Sequence, residues 1–459
     1  MNFPKNFTWG AAAASYQIEG AAHEDEKGPS VWDMMSEQPG RIWQGHTGEV
    51  ACNHYHRYKE DVQLMKKVGL QAYRLSVSWP RVIPAGTGKV NVKGLAFYDR
   101  LVDELLAASI TPWITLFHWD FPYELYCRGG WLNRDSAEWF AEYTSTVVDR
   151  LSDRIAHWMT LNEPQCFVGL GMEFGIHAPG DKLGLREVLR ASHHVLLAHG
   201  QAVKVLRSSA KTKPIIGWAP VAVSAFPSTE KENDIKAARQ AMFDHTTVSR
   251  LNNGNKISVW SNTWWGDPVT FGKYPEDAWK AFGNAVPEIQ EGDMELISQP
   301  IDFYGVNIYS GIEVCAGRDG KPEAVPHPQG AGMTAIRWPV TPEALGWGAR
   351  LIHERYQKPI VVTENGLSCN DSISLDGEVH DPQRIDFLNR YLLSLSKAIQ
   401  NGTDVRGYFQ WSIMDNFEWA EGYKERFGLI YIDYATQKRI LKDSAKWYSK
   451  VIESNGELL

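Results

Sequence analysis

The stretch His157-Trp158-Met159-Thr160-Leu161, closed by Asn162-Glu163-Pro164, is a short run without formal charge that ends abruptly in a polar pair and a proline. A strand with one wet face alternates apolar and polar residues, whereas a near-continuous apolar run is the pattern of a parallel strand covered on both sides. Seven further runs read the same way: Trp9–Ala13, Ala72–Val77, Thr111–Leu116, Pro214–Ala219, Asp302–Val306, Pro359–Thr363 and Val405–Phe409. Between them lie helical patterns over Tyr55–Val68, Gly94–Ala108, Asp135–Arg154, Leu185–Ser208, Pro342–Arg355 and Asp381–Asn401, with Gly69 and Gly402 where C-terminal stops belong. Eight strands alternating with helices predict an α/β fold, a (β/α)8 barrel forming one domain over residues 1–459. The loops after the first, fourth and sixth strands read as the long ones, with enough chain to build a deep pocket. The rival architecture, an open doubly wound sheet, lacks a Gly-rich turn after its first strand. Gly169-Leu170-Gly171 follows the fourth strand and misses the third glycine.

Composition narrows the function. The 459 residues carry 47 Lys and Arg against 55 Asp and Glu, a net charge of −8, which argues against a nucleic-acid partner. Charged residues at 22% and hydrophobic residues at 43% are the balance of a folded chain rather than a disordered one. No apolar run approaches the roughly 20 residues of a membrane span. The start of the chain lacks the basic and apolar segments of a signal peptide. The expectation is a cytoplasmic protein with no membrane partner. Cys52, Cys127, Cys166, Cys315 and Cys369, odd in number and without C-x-x-C spacing, predict free thiols. His54, His56 and His118 hint at a metal hydrolase, but no acidic partners follow at ligand spacing, so neither a metal nor another cofactor is expected. The 19 Trp, 18 Tyr and 17 Phe supply core volume and also flat faces on which sugar rings stack.

In a barrel, chemistry gathers where strands end. Gln17 and Glu19 follow the first strand, Arg74 lies in the second, and His118 and Trp119 follow the third. Asn162 and Glu163 follow the fourth, Asn307 and Tyr309 the sixth, Glu364 and Asn365 the seventh, and Trp411, Glu418 and Trp419 the eighth. A carboxylate beside an apolar strand is costly unless paired or used. Two of them, Glu163 and Glu364, in an aromatic and amide-rich rim match the needs of glycoside hydrolysis, in which one carboxyl donates a proton and the other acts ionised.

Here the sequence resembles a known family. Thr160-Leu161-Asn162-Glu163-Pro164 and Thr363-Glu364-Asn365-Gly366 look like the two active-site signatures of glycoside hydrolase family 1, the β-glucosidases and their relatives. Four more segments resemble that family in order: Phe7–Gly20, Tyr73–Arg81, His118-Trp119-Asp120 and Trp411–Trp419, with Phe427–Asp433 closing the chain. The resemblance implies a retaining exo-β-glycosidase acting on terminal β-D-glucosyl residues, and extends to β-galactosides and β-fucosides. Glu364 would be the nucleophile and Glu163 the general acid/base, with carboxyls about 5–5.5 Å apart. Arg74 and Tyr309 would hold Glu364 ionised, Asn162 would bind the 2-hydroxyl, and Asn307 would bridge or position Tyr309. Gln17, His118, Trp119, Glu418 and Trp419 would bind the glycone, and Trp411 would be its stacking platform. The partner implied is a small β-glucoside or oligosaccharide.

Departures sharpen the expectation. Glu418 stands where phospho-glycosidases of the family grip a phosphate, so an unphosphorylated sugar is expected over the alternative 6-phospho-β-glycoside. With both Glu in place, a non-catalytic sugar-binding barrel is the weaker reading. Gln165 replaces a frequent Trp after the Asn-Glu-Pro motif, and Glu173 falls where a small or aromatic residue is usual. With Trp338 as the remaining platform, the aglycone subsite, lined by Trp338 and Gln165, is expected to be more polar than usual.

Overall fold

Eight parallel strands alternate with helices in the computed structural model, which describes residues 3–251 and 258–459. They are β1 (Thr8–Ala12), β2 (Ala72–Ser76), β3 (Thr111–Phe117), β4 (His157–Asn162), β5 (Ile215–Ala219), β6 (Tyr304–Asn307), β7 (Ile360–Asn365) and β8 (Val405–Trp411). β1 sits between β2 and β8, and the sheet runs from β5 at one end to β6 at the other. Those ends meet through Asp302 N donating to Ile216 O at 2.7 Å, Asn307 N to Pro220 O at 3.0 Å and Ala222 N to Asn307 O at 3.0 Å. Gly305 makes this closure possible, because a Cβ there would lie 2.1 Å from Trp218 O. The (β/α)8 barrel expected from the sequence is therefore the fold. Helices His54–Val68, Val92–Ala107, Ser136–Leu151, Leu185–Ser209, Glu343–Tyr356 and Pro382–Gln400 accompany the strands, close to the ranges that the periodicity marks.

The barrel interior is a plug of large and small side chains in layers, as such barrels require. Trp113 packs on Phe409 and Phe303 with ring centroids 5.1 and 5.6 Å apart, beside Ala12, Ala72, Ala219 and Met159. This plug fills the barrel, and the polar site sits above it at the C-terminal ends of the strands.

The loops after the first, fourth and sixth strands are long as expected, and the longest excursion follows the fifth strand, from Ala219 to Tyr304. One expectation needs correction. Strands four, seven and eight run further than the apolar runs. Asn162, Glu364 and Trp411 are strand residues, not loop residues. The ladders slip between Met159 and Asn162 and between Val362 and Glu364. Such irregularities re-aim a side chain that strict alternation would point elsewhere.

Candidate active site

The site is built on β2, β4, β6 and β7. Arg74, buried in β2, donates through Nη1 to Glu364 Oε1 at 2.6 Å and through Nη2 to Asn162 Oδ1 at 2.6 Å. Tyr309 OH donates to Glu364 Oε2 at 2.6 Å, so both oxygens of Glu364 hold a donor. Asn307 Nδ2 donates to Glu163 Oε1 at 2.9 Å and to Asn162 Oδ1 at 3.0 Å. Thr363 Oγ1 fixes the far end of that amide by donating to Asn307 Oδ1 at 2.6 Å. A continuous polar chain thus links the carboxylates: Glu364, Arg74, Asn162, Asn307, Glu163. Cys166 Sγ lies 3.2 Å from Glu163 Oε2.

Local backbone brings these groups together. Glu163, Trp119 and Trp419 all have positive φ, at 45°, 77° and 50°. Non-glycine residues hold that conformation at a cost, and such strain collects at functional sites. Gly366, next to the Glu364-Asn365 pair, is obligatory, since a Cβ would lie 1.9 Å from Trp411 O and push β7 and β8 apart.

The two carboxylates differ in setting. Burial raises both, and for Glu163 the nearby Glu364 charge adds to it, taking its pKa up to about 8. Glu364 is also raised by burial, but Arg74 and Tyr309 pull against that. Arg74 hydrogen-bonds Glu364 and reaches Glu163 only at longer range, a setting that favours the ionised form of Glu364 over that of Glu163. Burial, with the Arg74 charge, pushes His118 well below the usual imidazole range, so it is neutral. Its Nε2 lies 3.1 Å from Asn162 Nδ2, an amide donor, which leaves the His118 proton on Nδ1.

Around this pair lies a cavity of about 530 Å³. His118, Trp119, Glu163, Asn307, Tyr309, Trp338, Glu364, Trp411, Glu418 and Trp419 all line it. Arg74 and Asn162 stand directly behind them through the bonds above. Gln17 does not itself line the cavity; it is buried beside Glu418, with Nε2 donating to Phe417 O at 2.9 Å and to Asn416 Oδ1 at 3.0 Å, and with Oε1 free of any protein partner. Trp411 stacks on His118 at 5.6 Å, and Trp119 packs on Trp419 at 4.5 Å. Burial and the charges of Glu364, Glu425 and Glu163 push Glu418 well above the carboxylate range.

The mouth departs from expectation. Gln165 does not line the cavity: its Nε2 donates to Val221 O at 3.0 Å and its Oε1 accepts from Val221 N at 3.2 Å. It begins a wide-turn helix, Gln165–Glu173, that turns the side chain toward the neighbouring loop. Glu173 is likewise engaged, accepting from Ser258 N and Oγ at 3.0 and 3.1 Å. Trp338 keeps its place, packed on Tyr309 at 5.2 Å, but Trp260 joins it on the lining with Leu170, Val221 and Ile312. The mouth is apolar with two indoles, not polar with one. Trp260 and Cys166 went unmarked by motif reading. Trp260 sits inside the long fifth excursion, and only the tryptophan count hinted at it. His54 and His56 diverge, to Asp61 at 2.7 Å and Glu24 at 2.9 Å. Among the described residues no group of three His, Cys, Asp or Glu side chains is placed to hold a metal ion.

Known proteins match this chain over its length and in its fold. The chain is 44% identical over 457 residues to β-glucosidase A of Thermotoga maritima, covering 99% of this chain and 98% of that protein. It is 44% identical over 462 residues to β-glucosidase A of Acetivibrio thermocellus, with 99% of each covered. The solved structure of the Thermotoga maritima β-glucosidase in complex with glucoimidazole matches with a TM-score of 0.88 at 44% identity, over 99% of both chains. Residues 1–457 match the model of Glycosyl hydrolase family 1, and with full-length relatives at this identity the chain belongs to that family.

Proposed function

We propose that this family 1 enzyme is a retaining exo-β-glucosidase in which Glu364 is the nucleophile and Glu163 the general acid/base. The observation that carries the reading is the unequal setting of the two buried carboxylates: Arg74 and Tyr309 on Glu364, Asn307 and Cys166 on Glu163. In the first step a Glu364 oxygen bonds to the anomeric carbon as the glycosidic C–O bond breaks, and the Glu163 proton passes to the departing oxygen. In the second, Glu163 takes a proton from water, the water oxygen bonds to the anomeric carbon, and Glu364 leaves as carboxylate. Asn162, oriented by Arg74 and Asn307, offers its amide to the 2-hydroxyl, where hydrogen bonds strengthen in the transition state. Gln17, His118, Trp119, Glu418 and Trp419 hold the remaining hydroxyls and Trp411 carries the ring face. The plugged barrel gives the cavity a dead end, which favours removal of terminal residues. Glu418 presents a carboxyl where a 6-phosphate would need a cation, and the charges of Glu425 and Glu421 near it disfavour a further anion. The whole chain serves as one catalytic domain, since the strands around the site run from Thr8 to Trp411. No cofactor enters these steps. Among the described residues no helix is long and apolar enough to cross a membrane, and the reading is of a cytoplasmic enzyme.

The test is trapping. A 2-deoxy-2-fluoro-β-glucoside with an activated leaving group slows the second step, and peptide mass spectrometry locates the adduct. The expected adduct is on Glu364. An adduct elsewhere, or burst-free turnover with inverted product, overturns the assignment.

A further inference from the structure

Beyond the glycone pocket, we infer that the aglycone side of the cavity selects alkyl and aryl aglycones over a second sugar. This rests on the glucosidase reading above and concerns the class of group that the enzyme releases. The wall beyond Glu163 is formed by Leu170, Val221, Val223, Trp260, Ile312 and Trp338. The three-stranded sheet of Ser224–Pro227, Gly311–Ala316 and Pro322–Ala324 holds Val221–Ser224 against Ile312.

The backbone polar groups of Val221–Val223 on this wall are already engaged. Val221 N and O are both bonded to Gln165. Val223 N is not free to donate to a sugar oxygen because it donates to Asn262 Oδ1 at 2.9 Å, and Val223 O accepts from Asn262 Nδ2 at 2.9 Å. Ala222 N donates to Asn307 O at 3.0 Å, and Ser224 Oγ to Ala222 O at 3.3 Å. The nearby amides and carboxylate that would read hydroxyls, Gln165, Asn262 and Glu173, are therefore turned to the protein itself. Among the described residues, the other polar side-chain groups along this stretch are Ser310, His177, Glu421 and the indole N–H groups of Trp260 and Trp338. His177, kept neutral by burial, is wedged against Trp32 and Trp119 at 5.5 Å, and Glu421 bonds Lys424 at the rim. A glucosyl aglycone would lose water from a ring of hydroxyls and recover few hydrogen bonds. An alkyl chain or aryl ring would bury apolar surface on the two indoles and the branched side chains.

The experiment compares kcat/KM of the full chain on methyl, hexyl and octyl β-glucosides and on cellobiose. Alkoxides leave less readily than a sugar hydroxyl, so leaving-group chemistry alone favours cellobiose, and a reversed order reports the wall. Octyl β-glucoside is expected to exceed both methyl β-glucoside and cellobiose by about tenfold or more, since a fully buried methylene favours binding by roughly fourfold. Ile312→Asn, which places a free amide on the wall, is expected to move the octyl-to-cellobiose ratio about tenfold toward cellobiose. A flat response to chain length, or cellobiose equal to or better than octyl β-glucoside, overturns the inference while leaving the glucosidase reading intact. Inactivity on every glucoside fails that reading instead.

Discussion

The floor of the cavity and its mouth lie a few side chains apart, yet they use polar groups in opposite ways. On the floor, strand ends bring Arg74, Asn162, Asn307 and Glu364 together, and the bonds among them orient Glu163, Asn307 and Glu364, which face the cavity. At the mouth, loops turn Gln165, Asn262 and Glu173 away from the cavity to tie down backbone, and apolar side chains face it. A buried polar group must find a partner. On the floor the partners are one another, leaving capacity toward a bound sugar; at the mouth Gln165, Asn262 and Glu173 spend theirs on neighbouring chain, and few polar groups are left over. The same residue types thus read as chemistry in one place and as scaffold in the other.

Substitutions can break that contrast. The largest effect is expected from Glu364→Gly, with a fall in kcat on the order of 10⁵-fold on 4-nitrophenyl β-glucoside and an unchanged circular dichroism spectrum. Near-parental turnover would remove Glu364 from the chemistry. Glu163→Gln should lose about 10²- to 10⁴-fold on a substrate with a poor leaving group and far less on an activated one.

That variant also tests the proton assignment. With Glu163 raised by burial and by Glu364, the parent loses activity as rising pH strips the Glu163 proton. The alkaline limb of the pH profile should therefore vanish in Glu163→Gln on an activated substrate, and a limb that stays in place assigns it to another group. Tyr309→Phe removes a donor to ionised Glu364, so the Glu364 pKa rises and the acid limb moves to higher pH, with about 10- to 100-fold lost from kcat/KM.

At the mouth the effects shrink. Trp338→Ala should weaken binding of aryl glucosides by about five- to tenfold in KM while sparing β-glucosyl fluoride, whose leaving group is too small to reach the indole. Equal loss on both substrates would place Trp338 with the floor. Gln165→Leu leaves Val221 N and O unpaired, and urea unfolding should show a loss of about 1–3 kcal/mol with hydrolysis of methyl β-glucoside nearly retained. A drop in that hydrolysis without loss of stability would return Gln165 to the binding surface.

Legibility in the sequence followed the same division. His157–Leu161 and Pro359–Thr363 announced buried parallel strands because burial on both faces demands apolar runs. Glu163 and Glu364 were conspicuous because a carboxyl beside such a run needs a reason. Their partners on other strands were readable as residues at strand ends, and the resemblance to family 1 gave them expected roles. Gln165 misled because its side chain is defined by a wide-turn helix and by Val221, distant in sequence. Trp260 was invisible because no local pattern says that the fifth excursion folds back over the cavity.

The amino-acid sequence by itself determined the barrel, since alternation of doubly buried strands with amphipathic helices has few other packings. It also determined which residue types meet at the strand ends. Which carboxyl receives the cation was expected only through the family resemblance, and the tertiary structure makes the contact, because Arg74 reaches Glu364 across the barrel from β2 to β7. Tertiary structure alone decided which polar groups face a substrate and which are consumed by the fold, because hydrogen-bond partners are settled by distance in space, and loops bring together residues that no spacing in the chain relates.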